Sequence, residues 1–185
     1  MAKIEEALDI MYRLEFSNED NVLEQNATEN GWTFMGVYQG AFPNLDLWKT
    51  VRQKVQQANG DMKLAGSMLY NSVAVRELVD DFYKKEFWDK ARLDEVVSQQ
   101  VANEIFVAGV NMGMKKAVML AQKLVCVPAD GLVGPKTLAA INKYDDAAFD
   151  EMYDVLETDH YAMIIANNPS KRIYAKGWRN RAVAV

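Results

Sequence analysis

Residues 102–113, ANEIFVAGVNMG, decide the fold of this chain. The run from Ile105 to Val110 is apolar around nearly the whole circumference of a helix, whereas a surface helix is apolar along one stripe only. With Val97 and Val101 on the same face, the pattern predicts a helix over about 94–110. We expect this helix to be the most buried in the molecule, and to break at the Asn-Met-Gly segment that follows.

Helical periodicity continues on both sides of this segment. Before residue 15, apolar residues recur at the spacing of an amphipathic helix, at Ile4, Ala7, Leu8, Met11 and Leu14. We expect this first helix to end near Glu15. Further helices are predicted over about 46–58, 62–84, 116–124, 135–142, 146–166 and 170–182. The sequence therefore predicts a mainly α protein.

The segment from residue 16 to residue 48 interrupts the helical pattern. It is rich in Asn, Gly and acidic residues, which favour loops and turns. Within it, the sequence around Thr33–Tyr38 predicts a short β-hairpin. A long irregular segment in a compact chain is usually functional. We therefore expect the functional site to lie in this segment.

The composition excludes several classes of chemistry. The chain has 185 residues, half of them apolar and a quarter charged, which predicts one domain or two small, tightly packed ones. One cysteine cannot form an internal disulfide, and a single histidine beside it leaves few of the ligands that a zinc site normally takes, which argues against metal hydrolysis. Cys126 and His160 would form a thiol protease pair only if their side chains lay within hydrogen-bonding distance of each other. We expect Cys126 to be buried and inert instead. Because nucleotide-binding glycine motifs are also missing, we expect no metal and no cofactor.

Charge is distributed unevenly along the chain. Residues 1–31 carry eight acids and two bases, whereas residues 160–185 carry five bases and no acid, within a net charge of −5. The basic stretch is too short, and the chain too acidic, to favour a nucleic-acid partner. The start, MAKIEE, is acidic and no long apolar run follows, so we expect neither an export signal nor a membrane span. We expect the chain to be made in the cytoplasm.

Glu15 is the strongest candidate for catalysis from its position alone. It follows the apolar stripe of the first helix and opens the irregular segment. Its apolar neighbours, Leu14 and Phe16, would favour the protonated carboxyl that a general acid needs to donate to a leaving oxygen. The alternative is a solvated acid at a helix end.

Five blocks of sequence resemble a known family in the right order over nearly the full chain. They are Leu14-Glu15 with TFMGVY (33–38), YKKEFW (83–88), ANEIFVAGVNMG (102–113), DGLVGPKTLAAI (130–141) and KGWRNR (176–181). The family is glycoside hydrolase family 108. The resemblance implies a phage-type muramidase with a lysozyme-like helical fold. It also implies a catalytic region over 1–110 and a peptidoglycan-binding-like helical region over 111–185, packed together as one globular, monomeric unit.

The resemblance also implies roles for residues near the N terminus. Glu15 matches the catalytic acid, although Phe16-Ser17-Asn18 stands where the family has Gly-Gly-Tyr. Thr33 matches the end of the family's loop and would position water. For a second carboxylate, Glu29 is the first choice, with Glu24 and Asp20 behind it.

The implied substrate is the peptidoglycan glycan strand, cut at the β-1,4 bond between N-acetylmuramic acid and N-acetylglucosamine. Trp32 and Tyr38, and also Trp48, would stack on sugar faces unless they are buried in the core. An inactive peptidoglycan-binding protein and a lytic transglycosylase remain alternatives. As a lysin, the protein would reach the wall through a holin-type pore or in a virion. The basic C terminus would then attract the anionic envelope, or form a solvated helical face.

Overall fold

The computed structural model describes residues 1–16, 21–25 and 31–185, and these residues form a mainly α protein. Nine α-helices are found among them: α1 (Ile4–Glu15), α2 (Leu47–Gln57), α3 (Met62–Tyr70), α4 (Val73–Tyr83), α5 (Gln99–Met112), α6 (Met114–Leu124), α7 (Pro135–Ile141), α8 (Asp146–Asn167) and α9 (Ala175–Ala182). A π-helix covers Lys84–Trp88, and 3-10 helices cover Asp89–Ala91, Leu93–Glu95 and Pro169–Tyr174. Strands β1 (Leu23–Glu24), β2 (Thr33–Phe34) and β3 (Val37–Tyr38) form a small sheet. The predicted fold class is confirmed.

The chain divides into two compact units. The smaller unit is Tyr12–Tyr83, and the larger is Met1–Met11 together with Lys84–Val185. The smaller unit therefore includes the last turn of α1, the sheet and helices α2 to α4. The larger unit includes helices α5 to α9.

The sheet of the smaller unit is antiparallel, in the order β1-β2-β3. The predicted hairpin is confirmed, since Thr33 pairs with Tyr38 and Phe34 with Val37. Its two turn residues, Met35 and Gly36, have φ values of 45° and 75°. Positive φ at both central residues of a two-residue loop matches the twist of the flanking strands.

Helices α3 and α4 replace the single helix predicted over 62–84. Asn71 ends α3, where its backbone N–H and its side-chain amide both donate to the Ser67 carbonyl. These bonds satisfy a carbonyl at the helix end and stop the helix there. Gly66 of α3 lets β1 approach closely, because a Cβ atom there would lie 3.3 Å from Leu23 Cβ.

Helix α5 is the centre of the larger unit. Every residue from Val101 to Gly109 is buried, as predicted. The helix begins later than expected, at Gln99, because the Ser98 side chain caps it by accepting a hydrogen bond from the Val101 N–H. Val97 therefore lies outside the helix and is 63% exposed. Trp88 packs edge-on against Phe106, with ring centres 5.8 Å apart.

Aromatic side chains connect helices α6, α8 and α9 of the larger unit. The buried Tyr153 of α8 donates its hydroxyl to the Ala117 carbonyl of α6 over 2.9 Å. Trp178 of α9 stacks on Tyr161 of α8, with ring centres 5.0 Å apart.

The expectation that Cys126 is buried is wrong. Cys126, in the turn after α6, is exposed and has a φ of 57°. No helix among the described residues is both long and apolar enough to cross a membrane.

Candidate active site

Glu15 is the last residue of α1 and is half-buried. Its negative charge acts on the hydroxyl of Tyr83, the last residue of α4, whose pKa is raised first by burial and then by Glu15. The carboxyl thus lies close to a buried tyrosine within the smaller unit. The predicted role of Glu15 as general acid stays a prediction.

The turn of α1 that leads to Glu15 is held against α4 by a polar cluster. The Tyr12 hydroxyl donates a hydrogen bond to Asp80. The Arg76 guanidinium lies over two rings, 4.4 Å from the centre of Tyr12 and 5.0 Å from that of Tyr70. Cation–π contacts of this kind stabilise by about 0.5–2 kcal/mol. The cluster fixes the end of the helix that carries the candidate acid.

The sheet carries a row of three side chains on its less buried face. Thr33 of β2 lies opposite Glu24 on one side and opposite Tyr38 on the other. Directly paired residues share a face, with Cβ atoms about 4.5–5.5 Å apart. Glu24 is exposed, whereas Thr33 and Tyr38 are half-buried. The opposite face is formed by Leu23, Phe34 and Val37, which are buried.

Of the three carboxylates considered as partners of Glu15, the structure therefore brings Glu24 beside Thr33. Glu29, the first choice from the sequence, and Asp20 lie outside the described residues. Glu24 was ranked lower because residues 29–32 stand where the resembling family has its Asp and glycines, and the pairing of β1 with β2 was not predicted.

The aromatic candidates differ in accessibility. Trp32 is half-buried, and its backbone is fixed by Gln39, whose Oε1 accepts from the Trp32 N–H over 3.1 Å. Tyr38 is also half-buried, and its ring lies against Gly40. Trp48 is only 3% exposed, and its Nε1–H donates to the Phe42 carbonyl, so of the two alternatives for Trp48 the structure supports burial in the core.

A second group of carboxyls, in the larger unit, was missed. Oxygen atoms of Glu104, Asp154 and Glu157 lie within 4.8 Å of one another, between α5 and α8. Glu104 and Glu157 are only 2% and 3% exposed. The signal was present in the sequence, since Glu104 is an acid inside the apolar segment that decides the fold.

These carboxyls titrate abnormally. Burial, with a hydrogen bond to Asp150 and neighbouring acids, raises the pKa of Glu104 to about 10. Burial and the charge of Asp154 raise the pKa of Glu157 to about 7, and burial and Asp150 raise that of Asp154 to about 6. The spacing would suit a cation, but a hydrogen bond between two carboxyls requires a shared proton. The bond between Glu104 and Asp150 therefore holds a proton, and Glu104, Asp154 and Glu157 are called the carboxyl cluster below.

Comparison with protein families identifies the chain. The model described as "Glycosyl hydrolase 108" matches residues 16–113, more than half of the sequence. The chain belongs to glycosyl hydrolase family 108. The model described as "Predicted Peptidoglycan domain" matches residues 116–183. This family 108 chain is therefore a glycoside hydrolase with peptidoglycan as its substrate, as the resemblance implied. The match begins just after Glu15, so its catalytic role rests on the resemblance and its position.

A solved structure shares the fold. The structure of Brucella abortus SagA is similar with a TM-score of 0.62 and 19% identity, over 97% of this chain and 91% of that one. The comparison with curated proteins gave no match. The predicted division into 1–110 and 111–185 stays a prediction: the family regions meet near residue 115, whereas the compact units divide at Met11 and Tyr83.

Proposed function

We propose that this protein is an N-acetylmuramidase that hydrolyses the β-1,4 bond between N-acetylmuramic acid and N-acetylglucosamine, with Glu15 as the general acid. The observation that carries the proposal is the position of Glu15. Glu15 ends helix α1, whose last turn is fixed by the Tyr12–Asp80 hydrogen bond. The charge of Glu15 raises the pKa of Tyr83, and the Tyr83 hydroxyl donates a hydrogen bond to the Met35 carbonyl in the hairpin turn. That hairpin carries Thr33 and Tyr38.

In the proposed reaction, protonated Glu15 donates its proton to the oxygen of the leaving sugar as the bond to the anomeric carbon breaks. Positive charge develops on the sugar ring, and it disappears when a water molecule attacks the anomeric carbon. A carboxylate on the far side takes a proton from that water, and the Thr33 hydroxyl orients it. Trp32 and Tyr38 would contact sugar faces through their exposed ring area.

The second carboxylate is Glu24 or Glu29. The resemblance favours Glu29, whereas the pairing of Glu24 with Thr33 favours Glu24. A separation of about 6.5–9.5 Å from Glu15 leaves room for water and gives inversion at the anomeric carbon, whereas about 5–5.5 Å gives retention. The anomeric form of the fresh product, read by NMR, distinguishes these two arrangements.

The biological setting belongs to the same proposal. The resemblance to phage-type muramidases supports a monomeric lysin, made in the cytoplasm, that degrades the bacterial cell wall. It would leave through a holin-type pore or be carried in a virion. The basic residues on the last helical segments, Lys171, Arg172, Lys176, Arg179 and Arg181, would favour an anionic envelope.

Digestion of purified peptidoglycan tests the activity. We expect soluble fragments with reducing muramic ends from the native protein, and no fragments from Glu15→Gln, because the amide keeps the shape but donates no comparable proton. Glu15→Gln should still sediment with the wall. Anhydro ends would instead indicate a lytic transglycosylase, and sedimentation of the native protein without fragments an inactive binder. Cleavage by Glu15→Gln near the native rate would overturn the assignment of the acid.

A further inference from the structure

Tyr83 contacts both parts of the candidate site. Its side chain is 3% exposed, and its hydroxyl donates to the Met35 carbonyl over 2.8 Å. Met35 is in the turn of the hairpin that carries Thr33 and Tyr38. Tyr83 also lies close enough to Glu15 for the carboxylate charge to raise the pKa of its hydroxyl. The Tyr83 ring packs edge-on against the Tyr12 ring, with ring centres 6.4 Å apart.

The hairpin turn is shaped to receive this hydroxyl. Gly36, the second turn residue, has no side chain, and a Cβ atom there would lie 2.6 Å from the Tyr83 hydroxyl oxygen. The same Cβ would lie 3.7 Å from Phe16, the residue that follows Glu15. The turn therefore lies directly against Tyr83 and the end of α1. A larger residue at position 36 would separate them.

We propose that Tyr83 is a positioning residue of the hydrolysis reaction. Its hydroxyl holds the β2–β3 hairpin at a fixed position relative to Glu15. The inference rests on the proposed role of Glu15 as the acid. In both inversion and retention, the proton is donated to the leaving oxygen and the nucleophile attacks the anomeric carbon from the opposite face, so the groups that perform these steps must keep a fixed separation. The Tyr83–Met35 hydrogen bond is a direct tie between the element carrying Thr33 and the surroundings of Glu15.

The expected size of the effect follows from geometry. A misplacement of about 1 Å in an active site reduces the rate by about 10²-fold. Removal of one hydrogen bond loosens the hairpin and leaves the sheet in place. We therefore expect a fall in rate that is only part of this roughly 10²-fold effect. Trp32 and Tyr38 would contact sugars through apolar ring surface, and because such contact is non-directional it tolerates a small shift of the hairpin better than proton transfer does. Substrate binding should therefore change little. The prediction is a fall in kcat at nearly constant KM.

Tyr83→Phe is the test, because it removes the hydroxyl and keeps the ring. Tyr153→Phe is the matched control: it removes another buried tyrosine hydroxyl that donates to a backbone carbonyl, but in the larger unit. Both variants should show a lower melting temperature. With soluble glycan oligomers, well below both melting temperatures, Tyr83→Phe should lower kcat about tenfold with KM within twofold. Tyr153→Phe should leave both constants within twofold.

Three results overturn the inference. If Tyr83→Phe keeps kcat within twofold while Glu15→Gln is inactive, the positioning role fails and the acid assignment stands. If Tyr83→Phe and Tyr153→Phe lower kcat equally, the effect is one of stability alone. If Glu15→Gln cleaves at the native rate, the proposed function itself fails, and the positioning role with it.

Discussion

Glu24 and Thr33 lie directly opposite each other on the antiparallel strands β1 and β2. The pair places a carboxylate and a hydroxyl on one face of the sheet, next to Tyr38. The reverse face is buried through Leu23, Phe34 and Val37, and this burial fixes the register, since a slip by one residue would turn these side chains outward. The apolar residues thus place the Glu24 carboxylate beside Thr33.

This pairing gives the first prediction. We expect Glu24→Gln to lower kcat by about 10²-fold, because an amide cannot accept the proton of the attacking water. Glu29→Gln should lower it by less than about fivefold on the same scale. The control is Glu77→Gln, an exposed acid on α4, which should have native activity. Steady-state kinetics on soluble glycans measures all three. A larger effect at Glu29 than at Glu24 would restore the ranking made from the sequence.

Most helices and the hairpin could be predicted because their signals are local. The apolar spacing of α1, the all-apolar face of α5 and the turn at Met35-Gly36 are each readable within a few residues. Strand β1 was missed because two residues carry no periodicity, and its existence depends on pairing with Phe34. The same non-local pairing is what favours Glu24, so the site was less predictable than the fold.

Other differences have equally specific causes. The break at Asn71 depends on a side-chain hydrogen bond to Ser67, which hydrophobic spacing does not reveal. Cys126 was expected inside because it stands between two valines, but the turn after α6 leaves it exposed. The carboxyl cluster requires α8 to pack on α5, although Glu104 alone in an apolar helix was a usable signal.

The second prediction separates sugar contact from packing. Trp32→Ala should raise KM for glycan oligomers about tenfold with little change in melting temperature, because a half-buried ring contributes more to stacking than to the core. Trp48→Ala is its counterpart in the core and should lower the melting temperature by about 10 °C. Calorimetry and steady-state kinetics on both variants check this. A native KM for Trp32→Ala would remove Trp32 from the binding surface.

The third prediction concerns Gly36. Gly36→Ala places a Cβ atom 2.6 Å from the Tyr83 hydroxyl, at a φ of 75°. Gly60→Ala is the matched control, since its φ is 83° but a Cβ atom there meets nothing within 4 Å. Both alanines bear the strain of positive φ, about 1–2 kcal/mol. Only Gly36→Ala also displaces Tyr83, so its melting temperature should be lower than that of Gly60→Ala by about 5 °C. Equal melting temperatures would mean that the turn accommodates the extra atom.

The last prediction is the pH dependence of stability, which follows from the carboxyl cluster. The pKa of Glu157 is raised from 4.5 to about 7, so the folded protein keeps a proton that the unfolded chain releases above about pH 4.5. The contribution to stability is therefore complete below pH 4.5 and is lost as the pH rises toward 7. Asp154, with its pKa raised to about 6, acts in the same direction.

The surrounding groups do not reverse this sign. Glu104, with its pKa raised to about 10, stays protonated up to pH 8 and acts in the same direction, and Asp150 adds negative charge. The Tyr161 hydroxyl, which also interacts with Arg181, donates to Glu157 and opposes the shift only in part. We expect the melting temperature to fall by at least about 5 °C between pH 5 and pH 8. Glu157→Gln, which is neutral at every pH, should reduce that fall by about a third, since Glu104 and Asp154 supply the rest. Glu151→Gln, an exposed acid on the same helix, should leave it unchanged. A native pH profile for Glu157→Gln would exclude Glu157 as a source of the dependence.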